Sequence, residues 1–145
     1  MSRKMIKSNL FLAGALFALL PGGAEAQALS VSPTKLEAAN GARQTTLTVK
    51  AKGSGTSIVQ MRVMAWKEGS DPSKLKATRD VVISPPAAKL GPRQELTVRI
   101  VRTKKRAVRK RECYRVLVDR LPDRRTKGQM VKLQVRHSLP LCFTS

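Results

Sequence analysis

Short runs in which apolar and polar residues alternate, separated by glycine, proline, serine and asparagine, recur from Leu29 to Leu139. A period of two puts every second side chain on one face of an extended chain, the pattern of half-buried β-strands, and no stretch of useful length carries a helical period. A first strand fits Leu29-Ser30-Val31 and breaks at Pro33, which suits a sheet edge because proline donates no ladder hydrogen bond. After the turn at Asn40-Gly41, Thr45 to Ala51 sets Leu47, Val49 and Ala51 on one face. Ile58 to Trp66 is apolar on both faces and belongs inside a sheet. A polar loop spans Glu68 to Lys76, and a strand from Arg79 to Ser84 meets the breaker Pro85-Pro86. Beyond the turn at Leu90-Gly91-Pro92, Leu96, Val98 and Ile100 define one strand and Tyr114, Val116 and Val118 another. The last runs from Met130 to about Leu139. Seven short strands without helices predict an all-β, immunoglobulin-like seven-stranded sandwich.

The first residues follow a different rule. Arg3, Lys4 and Lys7 precede the apolar run Leu10 to Leu20, followed by Pro21-Gly22-Gly23 and Ala24-Glu25-Ala26. This is the order of a secretory signal peptide, with cleavage expected after Ala26 or Ala28. The apolar run has eleven residues, about half of the roughly 20 a membrane-spanning helix needs. Residues 1–26 are therefore assigned to the signal and 27–145 to one domain, which is too short for two ordinary ones.

Charge and cysteine count narrow the partners. The chain carries 29 Lys and Arg against 9 Asp and Glu, a net charge of +20, and loses Arg3, Lys4, Lys7 and Glu25 with the signal to reach +18. Such an excess favours polyanions, membrane headgroups or acidic proteins. Seven of the ten residues Arg102 to Arg111 are basic. Nucleic acid would find electrostatic attraction there but little to stack on, since Phe11 and Phe17 leave with the signal and three aromatic residues remain. Cys113 and Cys142 are either bridged or a pair of buried thiols, and an oxidising compartment favours the bridge. His137 is the single histidine and no acidic pair stands out, so an enzyme, a metal site or a cofactor is not expected.

A spaced series of residues narrows the reading further: Leu29-x-Val31-x-Pro33-Thr34-Lys35, Val59-Gln60 leading to Trp66, Ile83-Ser84-Pro85-Pro86, Leu90-x-Pro92, Val98-Arg99, Tyr114-Arg115, Leu121-Pro122 and Ser138-Leu139-Pro140. In that order it resembles the N-terminal domain of periplasmic pilus-assembly chaperones. The resemblance implies a periplasmic chaperone that captures pilus or fimbrial subunits by donor-strand complementation and delivers them to an outer-membrane usher. The lent side chains would be Val131, Leu133 and Val135, which alternate with Lys132, Gln134 and Arg136. Family members also hold the subunit's C-terminal carboxylate with two basic residues. Lys35 matches the first; the second falls near Pro140, leaving Arg136 or His137 as substitutes. Members continue into a second sandwich domain, so the resemblance covers the N-terminal one alone, and a homodimer of unloaded chains is a further partner it admits. The alternative is a small exported basic sandwich that binds polyanions or membrane surfaces.

Overall fold

In β3 (Gln44–Ala51), Leu47, Val49 and Ala51 are fully buried while Thr46 and Lys50 are exposed, as the period of two requires. The computed structural model describes residues 28–122 and 134–145. Around β3 stand β1 (Leu29–Ser32), β2 (Leu36–Ala38), β4 (Ser57–Ala65), β5 (Lys76–Ala77), β6 (Val81–Ser84), β7 (Ala87–Leu90), β8 (Glu95–Arg102), β9 (Glu112–Leu121) and β10 (Arg136–Phe143). No helix occurs among the described residues. One sheet has the order β1-β3-β8-β6; the other runs β2-β10-β9-β4-β5, with β7 also paired to β4.

These ten segments make the seven-stranded sandwich because two strands cross from sheet to sheet at prolines. β1 pairs with β3 in the first sheet, the chain breaks at Pro33, and β2 then joins β10 in the second. Likewise β6 pairs with β8, and after Pro85-Pro86 β7 pairs with β4. A residue without an N–H ends one ladder where the chain must leave it. At the second break the chain is rejoined at once, Met61 N–H donating to Pro86 O at 2.7 Å. Among the described residues the two-residue β5 is the only extra element.

Between the sheets, Val98 and Ile100 of β8 and Val81 of β6 face Val59, Met61 and Val63 of β4, Tyr114, Val116 and Val118 of β9, and Leu139, Leu141 and Phe143 of β10. The rings of Tyr114 and Phe143 meet edge to face with centroids 6.0 Å apart.

Two strand boundaries differ from the sequence expectation. The segment expected to start at Arg79 becomes β6 only at Val81, because Asp80 N–H bonds back to Thr78 Oγ1 at 3.1 Å and holds residues 78–80 in a turn. The last strand, expected to end near Leu139, runs from Arg136 to Phe143. Pro140 does not end it: β2 pairs only from Leu141 onward, so the missing N–H costs no bond on that side.

Candidate functional site

Alternation along β10 sends Leu139, Leu141 and Phe143 into the core and Arg136, Ser138, Pro140 and Cys142 outward. Along one side its ladder with β9 is complete, from Arg136 opposite Asp119 to Phe143 opposite Glu112. The ladder extends one step further, since Arg120 N–H donates to Val135 O at 3.2 Å. The opposite side is different. There β2 covers Leu141, Cys142 and Phe143 only, so residues 136–140 have no strand beside them among the described residues. This is an open sheet edge, the feature a strand of another chain can extend. Val135, at its upstream end, is 43% exposed. The other two side chains expected to be lent, Val131 and Leu133, lie outside the described residues.

The outward face beside that edge is held by charge. Asp119 is 1% exposed and receives Arg136 through Nε at 2.6 Å and Nη2 at 3.1 Å, and Arg62 Nη2 at 2.9 Å. Burial pushes its carboxyl up, but the hydrogen bonds from Arg136 and Arg62 outweigh that and hold it below the usual value. In register with Arg62 on β4 and Ser138 on β10 lies Leu117, which faces away from the core yet is 4% exposed. Further along β9, Arg115 stacks its guanidinium over Trp66, 4.4 Å from the ring centroid, and donates to Ser138 O at 3.2 Å. A disulfide then joins Cys113 of β9 to Cys142 of β10, directly opposite each other with Cα atoms 4.2 Å apart.

The two cations expected to receive a carboxylate are not brought together. Lys35 is 62% exposed and bonds Glu37 at 3.0 Å, which also accepts from Arg111 at 3.1 Å. It precedes Leu36, whose partner is Leu141, five residues along β10 from Arg136, or roughly 17 Å at strand rise. At the level of Lys35 stands Pro140, and across from Pro140 on β9 is Arg115. Arg136 is occupied by Asp119. His137 Nε2 is buried with no hydrogen-bond partner.

The broken first strand, its parallel pairing with the last, and the open edge beside it agree with a family-level match. Residues 28–144 match the model described as pili and flagellar-assembly chaperone, PapD N-terminal domain. The chain belongs to this family. It is a family of assembly chaperones and not of enzymes. No curated protein sequence matches the chain. Solved structures share the fold of this chaperone domain. The CsuC–CsuE chaperone–tip adhesion subunit complex from archaic chaperone-usher Csu pili of Acinetobacter baumannii has 22% identity over 81% of this chain and 56% of that one, with a TM-score of 0.66. The Salmonella enterica SafA pilin in complex with the SafB chaperone gives 21% identity, 81% and 54% coverage, and 0.65. The Escherichia coli chaperone DraB gives 22%, 81% and 54%, and 0.64. The chaperone domain described here spans little more than half the length of those chains.

Proposed function

We propose that this domain is a periplasmic chaperone that captures pilus or fimbrial subunits by lending them its last strand and passes them to an outer-membrane usher. The observation that carries the reading is the open edge of β10 at residues 136–140, continuous with the exposed Val135. A subunit that lacks one strand of its own sheet presents the complementary need, an unpaired edge above an apolar groove. Backbone bonds to residues 136–140 and the chain upstream would complete the ladder, and Val131, Leu133 and Val135 would fill the groove. Burying three such side chains contributes about 5–9 kcal/mol before ordering costs, so the groove is protected without ATP. Solved relatives that pair a chaperone with a pilin or tip adhesin support the partner class.

Lys35 is the proposed receiver of the subunit's C-terminal carboxylate. Arg136 is the second cation of this reading, and Arg115, across from Pro140 on β9, is an alternative nearer to Lys35 in register. The Leu133→Glu variant tests the whole reading, because a charge cannot enter an apolar groove. Co-expressed with a pilus subunit, it is expected to leave the subunit aggregated or degraded, with the variant itself folded by circular dichroism. A subunit that stays soluble beside that variant would sink the assignment.

A further inference from the structure

The end of the sandwich remote from the start of β10 carries a second feature that strand lending does not use. Between β8 and β9 lies the basic run 102–111, and it is ordered from within. Arg102 continues the inward alternation of Val98 and Ile100 and is 1% exposed. Its guanidinium meets Glu112 through Nε at 3.0 Å and Nη2 at 3.1 Å, and its Nη1 donates to the carbonyls of Lys104 at 3.0 Å and Arg106 at 2.6 Å. Arg43 donates to the same Lys104 carbonyl. Val108 is buried in the core, and Lys104 Nζ is bound to Asp80 at 2.8 Å. Arg111 is taken by Glu68 and Glu37.

Every side-chain carboxylate near the run is thus engaged, while Lys105, Arg106, Arg109 and Lys110 are exposed and make no ion-pair contact with a carboxylate among the described residues. They border two adjoining recesses. One, of about 380 Å³, is lined by Arg106, Arg109 and Lys110 together with Glu112, which Arg102 neutralises; the other, of about 410 Å³, by Asn40, Arg43, Lys105 and Arg106 together with the last residue, Ser145. Arg106 belongs to both.

We propose that this end of the domain binds a flexible polymer carrying phosphate groups in series, one phosphate in each recess with Arg106 shared between them. Cations reaching a recess from several sides suit a tetrahedral anion, and guanidinium forks grip phosphate oxygens in pairs. Two adjoining recesses suit repeated groups on one chain better than a lone ion. The run and the recess walls carry no aromatic side chain, so bases would find nothing to stack on. No large exposed apolar residue stands on the run that could enter a bilayer, since Val108 is buried.

The test uses the full chain and linear inorganic polyphosphate, with binding followed by isothermal titration at two salt concentrations. Replacing Lys105, Arg106, Arg109 and Lys110 together by Gln is expected to weaken binding at least tenfold and to flatten its salt dependence. Replacing Lys52, Lys89, Arg93 and Arg99, which are exposed elsewhere, is expected to change it less than about twofold. Equal losses in the two variants would show attraction by net charge alone and overturn the proposal. So would equally tight binding of poly-glutamate, or binding to phosphatidylglycerol vesicles with none to polyphosphate. The first variant is expected to capture subunits normally, which separates this site from the open edge of β10.

Discussion

A cation with no access to water must be fully paired, and Arg102 meets that condition inside its own loop. Four hydrogen bonds satisfy its guanidinium, and they raise its affinity for a proton while holding the Glu112 carboxyl below its usual value. Arg102→Met would strip Glu112 of both its arginine bonds and leave the Arg106 carbonyl without a donor, while the Lys104 carbonyl keeps Arg43. We expect it to cost about 3 kcal/mol, read as a lower urea midpoint, with disorder confined to residues 103–111. An unchanged midpoint would mean that the loop is held by Val108 and Lys104 instead. The sequence left only a trace of this role: Leu96, Val98, Ile100 and Arg102 share one parity, yet a basic residue within a basic run reads as solvated. Asp119 was less visible. Nothing local marks an aspartate between Val118 and Arg120 as the hub of two arginines that come from β4 and β10.

At the scale of elements, β9 and β10 form a rigid pair. Eight residues on each are in register, and the disulfide crosses them near the end where β2 joins. The bridge closes a loop of 28 intervening residues, which in the loop-entropy model is worth about 3.6 kcal/mol. Reduction, or the double change of Cys113 and Cys142 to Ala, should therefore lower the denaturation midpoint by a matching amount in either case. If neither moves it, the ladder alone fixes these strands. Most strands were legible because alternation survives wherever one face is buried, as in Leu47-x-Val49-x-Ala51. Less legible was which sheet each piece joins. Pro33 and Pro85-Pro86 read as breaks, yet a break does not reveal that the chain resumes in the opposite sheet. The open edge was legible only through family resemblance, because it depends on how far β2 reaches along β10.

For the whole molecule the balance of charge sets the response to acid. Nine carboxylates offset 29 cations, and those of Asp119, Glu112, Glu37 and Asp71 are held below their ordinary values of 3.8 for Asp and 4.5 for Glu. A lowered carboxyl adds stability that is complete above its unfolded value and disappears as pH falls through its native one. Each protonation also adds to an already large positive charge. The thermal midpoint should thus be nearly level from about pH 7 to 5 and fall steeply below about 4.5. Asp119→Asn should begin lower at neutral pH and lose less on acidification; a parallel acid limb would show that Asp119 is not part of it. One last consequence rests with the shortness of β2. Its three residues stop at Leu36 because Pro33 has already turned the chain away from the first sheet. Were the chain to continue backwards along β10 for five more positions, it would cover residues 136–140 with its own backbone and the domain would be self-sufficient. The length of that short segment is therefore a governor on sociability: a few residues divide a fold that completes itself from one that stays available to a neighbour.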